Sequence, residues 1–469
     1  MTKLRYAKFL MTTATALIAL SAAMPVFAPA YAKDDLAVTI YNSGTALVED
    51  KRDINFRDGR SKVELPGVSS QIIAPSVTFV ADGIEIIEQN FDFDLLSPAK
   101  LMEKAVGQTV EIVRINPGTG RETRQRAKVL SVNNGVVIEA GGKIEVLRDD
   151  NLPTRVIFDG VPKNLRARPT LSVDVTSAKS GKREAALTYL TGGLGWSSDY
   201  VLLFDEADSQ MDLQGWATLT NRTETTFEQA NLVLVAGNVQ SGGRGGDRPR
   251  SSSRRGGSEN TAPERIGDNY LYPIPGRTTI ASNQTKQVSL VDVAGASATK
   301  VYEYQAGGFN SMGNPQNVDV RIAFANSRKT GLGTALPGGT VRVYAKDARG
   351  RAQFIGEDRL GHTPGGSDIS LKIGSAFDVT VQSTVTNKKT INKRTHETTM
   401  KYVVRNAKPD AATVLVRQRV GGWWGVEHTM MNESLKSRRP QNDMFVWEVP
   451  VPAEGETTLT FTVRTKSTW

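Results

Sequence analysis

The chain contains no cysteine. Disulfide scaffolding, thiolate zinc sites and cysteine nucleophiles are therefore excluded, as is a lipid-modified cysteine anchor. Histidine is nearly as scarce: His362, His396 and His428 are the only three. No two of them stand at i, i+3 or i+4, so no helical metal pair exists. The sequence also lacks a Gly-x-Ser-x-Gly elbow, a zincin signature and a calcium loop. Beyond residue 32 no apolar run reaches the roughly 18 residues needed to span a bilayer. Charge of one sign is not in large excess. The 58 basic and 49 acidic residues give +9 over 469 positions, too mild a bias to suggest a nucleic-acid protein. At most it favours contact with anionic envelope polymers or lipid head groups. No cofactor or metal site is expected.

What is present begins at the N-terminus. Lys3, Arg5 and Lys8 precede an apolar run from Phe9 to Ala23, which breaks at Pro25 and Pro29 and ends in Ala30-Tyr31-Ala32. This is the layout of a bacterial secretory signal with small residues at the cleavage site. It places the rest of the chain in the periplasm or elsewhere in the extracytoplasmic envelope. Removing its three basic residues leaves a net charge of +6.

The dominant period is two. Leu171, Val173 and Val175 alternate with polar residues, as do Val318, Val320, Ile322 and Phe324, Val379 and Val381, and Leu459, Phe461 and Val463. Such alternation puts apolar side chains on one face of a strand. With frequent turn residues, it predicts an all-β fold of antiparallel sandwich domains. The best helix signal is Ser97 to Gly107, with Ser97 as N-cap, Pro98 at the first helical position and Gly107 as the stop. After it, strands at 110–115, 127–132, 136–140 and 143–147 are closed by tight turns, Gly141-Gly142 among them. They predict a small SH3-like barrel. From Ser241 to Asn260 glycine is the only non-polar residue besides Pro249, and the stretch is rich in Arg, Gly and Ser. It cannot bury enough surface to offset its ordering entropy. The chain thus divides into a signal segment (1–32), an N-terminal β segment (33–96), the small barrel (97–150), the first part of a sandwich (151–240), a flexible Arg/Gly/Ser-rich linker (241–268) and a C-terminal sandwich part (269–469).

One stretch carries a family resemblance. Leu187-Thr188-Tyr189-Leu190-Thr191-Gly192-Gly193-Leu194-Gly195-Trp196 leads through Asp199-Tyr200 to Leu213-Gln214-Gly215-Trp216, then to Asn231-Leu232-Val233-Leu234-Val235-Ala236-Gly237. Later come Leu336-Pro337-Gly338-Gly339-Thr340, Gly356-Glu357-Asp358, Gly374-Ser375-Ala376-Phe377-Asp378-Val379 and Phe461-Thr462-Val463-Arg464. This order resembles the domain of unknown function 4139 family, known from mucoidy-inhibitor-A-like proteins, over roughly residues 150–469. Members of that kind carry a long coiled coil ahead of the domain, and no sustained heptad occurs here. The resemblance implies fold and compartment and no settled activity. On the residues themselves, Trp196 reads as a core plug beside glycines that let the backbone turn.

Candidate chemistry is thin. His362, near Glu357 and Asp358, reads as a hydrogen-bonded loop residue rather than a general base. Asp92 and Asp94 read as solvent-facing. Asn221-Arg222-Thr223 matches the glycosylation pattern by chance. Trp423 and Trp424, in Gly421-Gly422-Trp423-Trp424-Gly425-Val426-Glu427-His428, are the candidate ligand-binding residues. Alternation points them to opposite faces of a strand, so one is free to stack on a sugar ring. The reading that results is an exported envelope protein, non-enzymatic, that binds or scaffolds envelope proteins or acidic polysaccharide. The alternatives are a carbohydrate-active hydrolase with a carboxylate pair and a membrane-embedded barrel ending at Trp469. That barrel needs lipid-facing residues where Thr465 and Ser467 stand. Exported protein is expected to begin at Lys33; N-terminal sequencing that returns Met1 refutes cleavage.

Overall fold

The computed structural model describes residues 35–92, 94–147, 154–162, 165–237, 263–347, 349–421 and 425–467. It is all-β apart from one short α-helix and two single-turn 3₁₀ segments. The signal-like segment, most of the Arg/Gly/Ser-rich stretch, and Trp423 and Trp424 lie outside the described residues.

The N-terminal core lies under a seven-stranded sheet. Its order is Glu264–Ile266, Asn269–Ile280, Phe227–Ala236, Asp35–Tyr41, Thr45–Phe56, Gly181–Gly192 and Thr78–Ala81. A three-stranded sheet of Gly59–Pro66, Thr170–Ser177 and Ile84–Asp92 shares the same core. Val38, Val48, Leu171, Val173, Tyr189 and Leu234 fill it. The alternation predicted at Leu171, Val173 and Val175 is present, with all three fully buried. A charge breaks the apolar row on Thr45–Phe56: Asp50 is 3% exposed. It accepts a hydrogen bond from Arg52 Nε at 3.0 Å, and Arg52 Nη1 donates to the Pro66 carbonyl at 2.9 Å. A buried carboxylate is tolerated when paired in this way.

A smaller sheet of Thr154–Ile157, Thr109–Ile115, Glu122–Val132, Val136–Ala140 and Lys143–Leu147 has its own core of Val110, Ile112, Val129 and Ile138. The helix Pro98–Lys104 precedes it, and Ser97 Oγ accepts the Lys100 backbone N–H. Gly141 and Gly142 both have positive φ, 58° and 74°, the backbone that a two-residue hairpin requires.

At Gly193 (φ 76°) the chain leaves the first sheet and enters a thirteen-stranded one. A side chain at Gly193 would also collide with Gln71. Seven strands of the larger sheet run in the order Ala352–Leu360, Gly339–Lys346, Leu194–Asp205, Gln210–Asn221, Gln284–Ala306, Gln316–Ala325 and Asp368–Asn392. They curl around one core, to which the two outermost strands contribute Leu360 and Leu371. Those outer strands meet. Asp358 Oδ2 accepts the Lys372 N–H at 2.7 Å, and a Cβ at Gly356 would stand 2.0 Å from the Ile373 carbonyl oxygen. Only glycine permits that approach.

The C-terminal core lies between two layers. One holds the later part of Asp368–Asn392 with Thr395–Asn406, Gly455–Ser467 and Val426–Glu433. The other holds the end of Gln284–Ala306 with Ala412–Arg419, Met444–Val451 and Arg438–Gln441. Trp447, fully buried, stacks on Phe461 at 4.4 Å between ring centroids. Three strand pairs run parallel rather than antiparallel: Asp35–Tyr41 with Phe227–Ala236, Leu194–Asp205 with Gly339–Lys346, and Gln284–Ala306 with Ala412–Arg419. The partners are far apart in sequence, as a parallel pairing demands.

Two segments differ from expectation. Residues 264–266 form a strand against Asn269–Ile280, so a hairpin occupies the end of the segment read as linker. Phe227–Ala236 and Asn269–Ile280 are also neighbours in one sheet. Asn221 is 1% exposed and its amide donates to the Thr225 and Ala281 carbonyls, both at 2.9 Å. In the folded chain it is closed to glycosylation.

Asn326 and Asn406 repeat that device. Asn406 donates to the carbonyls of Asp410 (2.8 Å) and Pro452 (3.0 Å) and accepts the Lys408 N–H. Asn406→Ala is expected to lose about 1–3 kcal/mol, the cost of leaving buried backbone groups unpaired. Exposed Asn387→Ala is expected to change stability by less than about 0.5 kcal/mol. Urea denaturation of both variants checks this, and equal effects refute it.

Candidate functional site

The residues singled out in the sequence do not assemble around one centre. His362 is exposed, and its Nδ1 accepts the Gly338 N–H at 3.1 Å. Its two acidic neighbours in sequence are engaged elsewhere: Glu357 pairs with Arg342 and Asp358 closes the curled sheet. Asp92 accepts from Ser172 Oγ at 2.8 Å. Asp94 pairs with Lys104 at 2.8 Å, which lowers its pKa below the usual carboxylate range. Both carboxylates are thus tied into local structure rather than simply facing solvent. Trp196 is a core residue, 7% exposed, with Nε1 donating to the Val235 carbonyl and its ring tilted against Tyr272. Among the described residues no group of three or more His, Asp and Glu side chains stands at metal-binding spacing.

The other two histidines do come together. Four strands of the C-terminal module align in register, so that Thr390 pairs with His396, His396 with Thr465, and Thr465 with His428. Directly paired residues project from the same face of a sheet, and this row therefore alternates threonine and histidine across it. His396 Nδ1 lies 3.3 Å from Thr390 Oγ1, and His428 Nδ1 lies 3.1 Å from Thr465 Oγ1. His396 is exposed, whereas His428 is 9% exposed beside the Phe309 ring. Gly421 and Gly425, which flank the tryptophan pair, both have positive φ. Val426 pairs with Ser467 at this same end of the module.

Beyond the histidine row the sheet ends in a basic hairpin. The strand Asp368–Asn392 keeps Gln316–Ala325 as a neighbour only as far as Val381. From Thr386 onward every residue to Arg394 is exposed. Asn392 Oδ1 accepts the Arg394 N–H at 3.0 Å and shapes the turn. Lys393 and Arg394 form that turn, Lys388 and Lys389 precede it, and Lys466 pairs in register with Thr395 next to it. None of these five cations forms an ion pair among the described residues. Arg464, one row inward of the histidines, is held by Glu397 at 2.7 Å, and Lys389 stands across the register from the same Glu397. Glu427 stands opposite Lys466 in the register. Six cations therefore face two carboxylates, and the uncompensated charge attracts anions. In the sequence a near-balanced total charge hides this local excess. Its signal is Lys388-Lys389-Thr390-Ile391-Asn392-Lys393-Arg394, a short basic run around a turn residue.

Burial disfavours the charged imidazolium and lowers the His428 pKa, and nearby Arg439 lowers it further against an opposing contribution from the Gly421 backbone. The unfolded state therefore binds the proton more readily than the folded state. The stabilisation is complete above the ordinary imidazole range and falls as pH drops through the lowered value. Denaturant midpoints measured from about pH 7 to about pH 5 should fall more steeply for the native sequence than for His428→Gln. Parallel curves refute this.

No curated protein matches the chain. The family described as Domain of unknown function (DUF4139) matches residues 185–467. That span runs from the strand before Gly193 through the whole thirteen-stranded sheet to the basic end. The chain belongs to the DUF4139 family.

Proposed function

We propose that this protein is an exported, non-enzymatic binding module of a bacterial cell envelope. Its basic C-terminal end engages anionic envelope material. The signal-like first 32 residues support the compartment. The observation that carries the binding role is the set of five cations without ion-pair partners around the 387–394 turn. Several surface cations elsewhere are matched, as Arg342 is by Asp199 and Glu357, Lys300 by Glu206 and Lys346 by Asp205, whereas here five without an ion pair stand together. Charge left unmatched at one end of a molecule steers association and gives it a strong salt dependence. Acidic polysaccharide and acidic faces of envelope proteins are partners of this chemistry.

Purified protein beginning at Lys33 should sediment with an isolated envelope fraction at low salt and be released as salt rises. Neutralising Lys388, Lys389, Lys393 and Arg394 together to Gln should weaken that association at least about tenfold, since long-range charge drives it. Association that is unaffected by salt and by these substitutions overturns the proposal.

A further inference from the structure

We infer that the hairpin at residues 387–394 docks on an anionic lipid surface. The inference rests on the binding role proposed above and narrows its ligand. The deciding residue is Ile391. It is 44% exposed, with Lys388 and Lys389 on one side of it and Lys393 and Arg394 on the other. Ile391 is the bulged strand residue just before the Lys393-Arg394 turn, and a charged polymer held by cations gains little from an apolar residue there. A bilayer interface rewards both: cations meet lipid phosphates, and an apolar side chain enters the boundary between head groups and acyl chains.

The geometry suits a surface better than a groove. The hairpin continues past the last residue that its outer neighbour pairs, so its outer edge is free to the tip. Its base is fixed. Thr395 pairs with Lys466, and Ser467 donates its N–H to the Arg394 carbonyl at 2.8 Å. A tip on such a base reaches a flat surface without ordering a flexible segment, and little entropy is lost on contact. Lysines on a free strand edge also oppose pairing with another chain. That role is served by Lys388 and Lys389, and it explains neither the exposed Ile391 nor the cations of the turn.

Each lysine or arginine at an anionic membrane surface strengthens binding about fivefold. The four hairpin cations together therefore account for a change of several hundredfold.

The test uses the full chain from Lys33 with vesicles of phosphatidylcholine alone, or of phosphatidylcholine with one quarter phosphatidylglycerol. Soluble polygalacturonate serves as the polymer arm. Binding to the phosphatidylglycerol vesicles is expected, with little to phosphatidylcholine alone. The fourfold Gln variant should lose it. Ile391→Ser should weaken vesicle binding about fivefold, as expected for withdrawing part of one apolar side chain from the interface, and leave any polygalacturonate binding unchanged. All substituted positions are exposed, and unchanged thermal melts show that the variants fold. Binding to polygalacturonate but not to vesicles overturns the lipid assignment and leaves the anion-binding role standing. Binding to neither overturns both. Vesicle binding that is indifferent to Ile391→Ser, or equal on neutral vesicles, overturns the lipid assignment as well.

Discussion

Two long strands hold the family domain together. Gln284–Ala306 pairs first with Gln210–Asn221, then with Gln316–Ala325, and finally runs parallel to Ala412–Arg419. Asp368–Asn392 pairs with Gln316–Ala325 along its first half and with Thr395–Asn406 along its second. Each strand contributes to both the curled core and the C-terminal core: Ala298 and Leu371 to the first, Tyr304 and Val381 to the second. A strand shared in this way transmits position through its hydrogen-bond ladder, so the two cores cannot rotate independently without breaking backbone pairs. Register shifts within both strands, such as the one between Asn317/Asp319 opposite Thr380/Ser375, let one strand change partner and direction without a loop.

The loops that return from these strands depend on a second constraint. A strand that ends inside the fold leaves carbonyl groups facing a turn, away from water, and each needs a donor. Asn221, Asn326 and Asn406 supply it. All three are at most 2% exposed. Each amide nitrogen donates to carbonyls on two separate stretches of chain, and each amide oxygen accepts a backbone N–H two to seven residues downstream. Asparagine does both at once, which neither aspartate nor serine can. The three turns are therefore held by side chains at or just past the ends of strands, and the cores on either side keep their spacing.

This explains which parts of the structure were legible in the sequence. Period-two alternation located the strands at 171–175, 318–324 and 459–463 because one-sided burial is a local property. The Ser97-Pro98 helix start and the Gly141-Gly142 turn were legible because capping and positive φ are decided within a few residues. The closure at Gly356 was not, because the reason for that glycine is the Ile373 backbone, reached through another strand and its turn. The unity of Asp368–Asn392 was hidden as well. Nothing local in Gly374-Ser375-Ala376-Phe377-Asp378 marks it as the bulged middle of one strand. The division at 241–268 placed Phe227–Ala236 and Asn269–Ile280 in different segments, whereas they are adjacent in space. The basic end was missed for a related reason. Its cations come from three places in the sequence, 388–394, 464 and 466, and only strand register makes them one surface.

That register also sets what the basic end can do. Thr398, Thr395 and His396 sit on the same strand as Met400, Tyr402 and Val404, which are fully buried. Arg464 and Lys466 continue from Leu459, Phe461 and Val463 in the same way. The cations are thus carried on extensions of core strands, and the entropy of fixing their backbone is already offset by the stacking of Trp447, Phe461 and Tyr402 beneath them. Like charges held this close repel one another, and that repulsion opposes folding. A fold under no pressure to display charge there would lower the cost by placing carboxylates across the register. It does so only at Glu397, which pairs with Arg464 and stands across the register from Lys389. The hairpin leaves Lys388, Lys393 and Arg394 without a carboxylate across the register, while Lys389 shares Glu397 with Arg464, and an anionic surface that neutralises them recovers the repulsion that the core has absorbed.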